Sequence, residues 1–260
     1  MVLNDESTWP PEVIRYLDTH QDLFSSWELR KQGDSEPLSH QQTVQIARAY
    51  DDAVEGLREV LMPFTLHGYH CTRLTDAEIE HILSQGMQPP SQAVLADRID
   101  RLRSAKLIDT QIAERLKREN QANENNRAGM IWFCFFSPHV AGQSGIERFF
   151  RSWGGEALYN CHERDPITGP ILTKIGTPCL IEADVPIASF PRYTFLESHV
   201  YRQFLINRGF ETSEPCEHED RATLPLPSEN IRRVIRFPED DFLTLTGCAD
   251  WIPPIMFPSA

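Results

Sequence analysis

The sequence predicts an α+β protein with its helices gathered early and its strands late. Three observations carry this. Residues 1–62 hold helical apolar stripes and no strand pattern, whereas the strand-like runs begin only at Phe64. Met130-Ile-Trp-Phe-Cys-Phe-Phe-Ser137 is a nearly unbroken apolar run of strand length. The strands that follow alternate with amphipathic segments rather than with a regular βα repeat, which argues against a doubly wound parallel sheet.

In the N-terminal segment, Pro10 and Pro11 suit a first helical turn, with Val13, Ile14 and Leu17 behind them. The stretch from Lys31 to Pro37 is polar and turn-like. Ser39 and Gln42 form a capping box for a second helix, whose stripe is Val44, Ala47, Val54, Leu57 and Leu61. Residues 1–62 are therefore expected to be a helical extension, packed on the remainder or binding a regulatory partner, and residues 63–260 to be the main domain.

Phe64 to Leu74 mixes aromatic and β-branched residues as a partly buried strand does. Thr75 with Glu78 boxes the next helix, Ile79, Ile82 and Leu83 share a face, and Gly86 and Pro89 stop it. Ser91 to Glu119 reads as two helices broken at Asp109-Thr110, with Ile99, Leu102, Ile112 and Leu116 inward. Between positions 97 and 118, seven Arg or Lys face four Asp or Glu, which reverses the charge balance of the chain. Arg98, Arg101, Arg103 and Lys106 form either a solvated helix face or a positive wall for phosphates. Asn120 to Gly129 is an Asn-rich loop without a packing signal, expected to move over a cleft.

Met130 to Pro138 is expected to be central and buried on both faces. Ser144 and Glu147 box a helix carrying Ile146, Phe149, Phe150 and Trp153, ended by Gly154-Gly155. Cys179 to Val185 is a strand, and Thr194 with Glu197 caps a helix through Leu205 that Gly209 stops. Arg221 to Leu224 and Ile231 to Phe237 are closing strands.

Composition excludes several function classes. The net charge of −13 disfavours non-specific binding to phosphate backbones. No apolar run approaches the ~20 residues of a membrane span. The opening Met-Val-Leu-Asn-Asp-Glu-Ser is acidic and polar, unlike a secretion signal. The six cysteines lack any Cys-x-x-Cys spacing, so reduced thiols in a cytoplasmic protein without a metal are expected. Cys161-His162 and Cys216-Glu-His218 are the only pairings that could seed a metal site.

Tyr69-His-Cys-Thr-Arg-Leu74, followed by a short amphipathic helix and Gly86-Met-Gln-Pro, resembles the first motif of the ADP-ribosyltransferase superfamily, in its diphtheria-toxin-like branch. Phe135-Phe136-Ser137, then Phe149, Phe150 and Trp153, is similar to the second motif, with phenylalanine where many relatives have tyrosine. Glu217-His-Glu219-Asp-Arg-Ala-Thr-Leu-Pro-Leu-Pro227 resembles the third motif as it stands in DarT-type toxins. The resemblance implies a split β-sheet core that takes NAD as substrate. His70 and Thr72 would hold the adenosine ribose and its surroundings, and Ser137, Phe149, Trp153 and Tyr159 would line the cofactor cleft, with Trp153-Gly-Gly-Glu-Ala-Leu-Tyr159 as a site loop. Glu219 would be the catalytic carboxylate, with His70 assisting and Glu217 as the alternative acid. It further implies transfer of ADP-ribose to a macromolecular acceptor, nucleic acid ahead of protein, by a toxin or effector with an antitoxin or regulatory protein as partner. An RNA 2′-phosphotransferase and an inert interaction module on the same scaffold are the competing expectations. Most of the aromatic residues named are expected to be core whichever reading holds.

Overall fold

The structure is a computed structural model that describes residues 1–33, 39–192 and 194–252. The turn expected over Lys31–Pro37 lies outside them from residue 34 onward; Lys31 and Gln32 still belong to the first helix. The class is α+β, as the sequence predicts. The helices are α1 (Pro11–Gln32), α2 (His40–Leu61), α3 (Asp76–Gln85), α4 (Gln92–Ser104), α5 (Thr110–Arg118), α6 (Gly142–Arg151), α7 (Glu156–His162), α8 (Thr168–Leu172), α9 (Leu196–Asn207) and α10 (Asp240–Thr246). The strands are β1 (Thr65–Leu74), β2 (Ile131–Cys134), β3 (Thr177–Pro186), β4 (Glu219–Ala222) and β5 (Ile231–Arg236). They form one antiparallel sheet in the order β4-β2-β1-β3-β5.

That sheet is unevenly joined. β1 and β3 run in register along ten residue pairs from Thr65–Pro186 to Leu74–Thr177. β2 and β4 pair along all four residues of each strand. Between β1 and β2 a single pair, Tyr69 with Cys134, is in register. A three-stranded leaf and a two-stranded leaf thus meet at one point.

Successive strand residues point to opposite faces, and paired residues point to the same one. One face presents Leu66, Phe133, Phe135, Ile181, Ala183 and Val185, which share a core with Val13, Leu17 and Phe24 of α1, Leu57 and Leu61 of α2, and Val200 and Phe204 of α9. The N-terminal helices are therefore a layer on the sheet, completing its core. Glu28 locks that layer in place. Its carboxylate is buried and accepts hydrogen bonds from the Tyr201 hydroxyl (2.6 Å), Arg202 Nε (3.1 Å), and the backbone N (2.8 Å) and Oγ (2.6 Å) of Ser213. Burial alone would raise its pKa, but these donors bring it down to about 2. On the opposite face, Leu180 and Ile235 pack under Ile146 and Phe150 of α6 and Phe242 of α10. A third cluster joins α4, α5, α7 and α8 around Trp153.

Arg73 fastens this third cluster to β1. Its guanidinium is buried with no carboxylate partner among the described residues and donates instead to the carbonyls of Ile175 (2.7 Å), Phe150 (3.0 Å) and Thr173 (2.7 Å). Burial lowers its pKa to about 10.

Several local expectations are corrected. Both capping boxes, Ser39–Gln42 and Thr75–Glu78, form. The stripe on α2 is buried only in its second half; Val44 is exposed, and so is Leu83 of α3. β2 is four residues long and buried on one face only; on the other, Trp132 is exposed. α6 starts at Gly142, where the turn Pro138–Ala141 runs straight into it, so Ser144 lies inside the helix and caps nothing. It ends at Arg151, and the extended Ser152 carries Trp153 off the helical face into the third cluster. α9 is preceded by Phe195 in the left-handed region (φ 60°) rather than by a capping box. The Asn120–Gly129 loop is packed: Ala122 is buried, the Gln121 amide donates to the Ala157 carbonyl and the Gly129 amide to that of Pro90.

Candidate active site

The three motifs lie on or beside three adjacent strands: His70 and Thr72 on β1, Phe135-Phe136-Ser137 directly after β2, and Glu219 at the start of β4. They converge on the point where the two leaves meet.

His70 and Thr72 lie on β1, half-buried, on the face that carries Phe133. The His70 ring is tilted against that of Phe133 at 5.8 Å. Beyond the Tyr69–Cys134 pair the strands no longer pair, and the Trp132 carbonyl takes a side chain in place of a ladder partner: His70 Nδ1 lies 2.8 Å from it. A carbonyl can only accept, so Nδ1 carries the proton. Burial is the main influence on this ring and lowers its pKa, with Arg98 adding to the effect and the Trp132 carbonyl opposing it. His70 is thus a neutral imidazole at physiological pH, and its Nε2 has no partner among the described residues.

Glu219 opens β4 and is exposed. It pairs directly across to Cys134, which pairs to Tyr69. Glu219, Cys134 and Tyr69 therefore stand in one transverse row, which continues through Glu182 to Arg233. This row is on the opposite face from His70 and Thr72. The sheet brings His70 and Glu219 to the same seam but from its two sides. The Cys134 thiol lies 3.9 Å from Glu219 Oε1, and Cys71, two residues beyond Tyr69, stands on the same face diagonally across from Cys134. The neighbouring Cys134, burial and the nearby Glu219 charge hold the Cys71 thiol well above its usual range. Glu217 is exposed two residues before β4, on the extended approach to it.

The residues around Glu219 are fixed from below. His218 and Asp220 are buried; the His218 ring stacks on Phe135 at 5.6 Å, and its carbonyl accepts from the Phe135 amide at 2.9 Å. Burial and the neighbouring His199 push His218 down to about 3. Gly68 lets Phe135 lie across β1: a Cβ there would stand 2.7 Å from the ring.

The expected aromatic wall divides. Phe149 is partly buried against the same cluster as Cys71, on the Glu219 face of the sheet. Ser137 Oγ sits 2.8 Å from His139 Nδ1. Trp153 is fully buried, donates its indole N–H to Glu78 Oε2 (2.8 Å) and lies beneath the Arg98 guanidinium. It presents no open ring to a ligand. Tyr159 is covered by Arg148, 3.7 Å from its ring centroid, and burial with the Glu156 hydrogen bond raises its pKa to about 12. A cleft of about 420 Å³ opens beside Glu78, Arg98, Arg101 and Leu107, and its lining does not include His70 or Glu219.

The basic run on α4 and α5 is largely neutralised. Arg98 pairs with Glu78, Arg101 with Asp97, Arg103 and Lys117 with Asp100, Arg115 with Asp165, and Arg118 with Glu119. Of its seven cations, only Lys106 has no carboxylate partner among the described residues. His162 is committed to Thr168 and the Glu119 carbonyl. No group of three or more His, Cys, Asp or Glu among the described residues is arranged to hold a metal.

Sequence reasoning missed Tyr69, Cys71, Cys134 and Glu182. The alternation His67-x-Tyr69-x-Cys71 was the available signal, since it places three polar side chains on one strand face.

No family model, no curated protein and no solved structure matches this chain.

Proposed function

We propose that this protein is an ADP-ribosyltransferase that moves ADP-ribose from NAD to a macromolecular acceptor. One observation carries the reading: the strand bearing His70-x-Thr72, the strand leading into Phe135-Phe136-Ser137 and the strand opened by Glu219 are neighbours, and β1 and β2 part where His70 reaches across to Trp132.

The residues at the seam suit such a ligand. A neutral His70 with its Nδ1 proton committed offers Nε2 as an acceptor for a ribose hydroxyl. Thr72 adds a hydroxyl on the same strand face. NAD supplies a glycosidic bond whose cleavage builds positive charge on the ribose ring. Glu219 stands exposed to oppose that charge where it develops, and its carboxylate can take a proton from the acceptor hydroxyl. Of the expected aromatic wall, Phe149 is the ring that packs on the Glu219 face of the sheet, in the cluster that holds Leu180 and Ile235. Because His70 and Glu219 approach from opposite faces, the ligand must lie across the seam rather than along one face.

Nucleic acid remains the first acceptor to test, on the DarT-like segment alone, since the α4–α5 cations are mostly spent on carboxylates. The test is incubation with labelled NAD and a cell lysate, resolved into protein, RNA and DNA fractions. Label in one fraction, lost with Glu219→Gln, is the expected result. Nicotinamide release without label would make the chain an NAD hydrolase. No NAD consumption, together with no NAD-dependent rise in melting temperature, would refute the reading.

A further inference from the structure

We propose that Cys71 and Cys134 form a hydrogen-bonded thiol chain that orients the Glu219 carboxylate, which makes Cys134 a positioning residue for the reaction at this seam. The functional half of this inference rests on the transferase reading; the thiol chain itself does not.

Glu219 has a fixed backbone and a free side chain. Its strand is held by the β2 ladder and by the buried His218 and Asp220 on either side, while the carboxylate projects from an exposed position. An exposed glutamate samples several rotamers, and a carboxylate that must meet charge at one place gains from having that freedom removed. Within the sheet, Cys134 stands where it can do this. It is the direct cross-strand partner of Glu219 on the same face, and its Sγ is 3.9 Å from Oε1.

The chain has a direction. The carboxylate can only accept, so Cys134 S–H points to Glu219. Cys134 Sγ is placed to accept from Cys71, which lies diagonally across from it on the same face of the sheet. Cys71 is packed against the cluster under α6 and so supplies an anchored end. A thiol is a weak donor. It sets the carboxylate's direction while leaving most of its charge for the ribose, which a guanidinium or ammonium in that place would neutralise. Among the described residues these two cysteines are the only thiols on this face of the sheet, and neither is paired in a disulfide. No bond forms or breaks in the thiols during this role.

The experiment uses the full chain and two readouts. The first is the infrared S–H stretching band, which moves to lower frequency when a thiol donates. The Cys134 band is identified as the one lost in Cys134→Ser. In Glu219→Ala, where the acceptor is gone, that band should move up; an unchanged band would overturn the thiol chain. The second is kinetic. A neutral hydrogen bond of ordinary strength corresponds to about a three- to tenfold effect. Cys134→Ala should lower kcat by that factor with KM for NAD unchanged, and Cys134→Ser, a donor of similar size, should restore it. A packing role would predict equal kcat for the two variants, and that result would overturn the positioning role. Cys71→Ala should act in the same direction with a smaller effect. A wild-type chain that consumes no NAD defeats the transferase reading alone, and the infrared comparison then decides the thiol chain by itself.

Discussion

Gly68→Ala tests how the seam is held together. Gly68 faces Phe135 across β1 and β2, and an added Cβ would stand 2.7 and 2.8 Å from two atoms of the Phe135 ring and 3.2 Å from the Cys134 carbonyl oxygen. Its backbone is not in the left-handed region, so alanine meets no torsional penalty and gains about 0.5–1 kcal/mol from the entropy of a strand glycine. Against this stands overpacking of a fully buried ring, about 1–3 kcal/mol. The net expectation is a loss of about 1–2 kcal/mol, read as a fall in the urea midpoint at constant slope. The contact is specific, so the loss should shrink in a Phe135→Leu background, with a coupling of about 0.5–3 kcal/mol. Because the carbonyl oxygen in the way belongs to Cys134, relief of the clash also moves β2 and with it Glu219; NAD turnover should fall further than stability explains. The same stability change in both backgrounds, or a gain in stability from Gly68→Ala alone, would refute the argument.

Acid should unfasten the N-terminal layer. The Glu28 pKa is lower in the folded chain than in the unfolded one, so its contribution is complete above the unfolded value and is lost as pH falls through the folded one. A depression from 4.5 to about 2 corresponds to about 3 kcal/mol at most, so urea unfolding should show a steep loss between about pH 4.5 and about pH 2 that Glu28→Gln abolishes. Arg73→Met removes the guanidinium donor from the carbonyls of Ile175, Phe150 and Thr173 and should cost about 3 kcal/mol or more. Arg73→Lys should recover only part of this, since an ammonium cannot reproduce the planar fork; full recovery would show that charge alone matters there. Trp153→Phe removes the donor to the buried Glu78 and should destabilise by about 1–3 kcal/mol with little change in KM for NAD; a large rise in KM would return Trp153 to the ligand wall.

What could be read from the sequence follows the range of the interactions involved. The capping boxes at Ser39 and Thr75 are settled within four residues, and both form. The break at Asp109-Thr110 is equally local, with Asp109 Oδ1 accepting from the Ile112 amide at 2.8 Å. At Ser144 and Thr194 the same pattern is present and fails, because a preceding turn and a left-handed Phe195 set the helix start from outside the box. Strand burial was misjudged at Trp132 because an apolar run does not say how many faces are covered; that depends on helices far away in the chain. The charge of α4 and α5 was legible as a sum, but not as pairs. Glu78, Glu119 and Asp165, which take up three of its cations, lie outside the counted window.

The seam itself depends on register, which sequence leaves open. The motif residues His70, Thr72 and Glu219 can be found by inspection, yet whether they share a face turns on a single pairing. With Tyr69 opposite Cys134 and Cys134 opposite Glu219, the acid joins Tyr69 and Cys71, and His70 goes to the other side. A slip of one residue in β2 against β1 would exchange these partners and leave the sequence pattern intact. Two features hold the register. Phe135 fits only over a glycine, and Gly68 is the only one on β1. The Phe135 amide is also tied to His218 beside the acid. The separation of His70 from Glu219 is thus built into the core packing. For one ligand to meet both residues, it has to pass through the gap that opens where β1 and β2 stop pairing, at the carbonyl His70 already occupies.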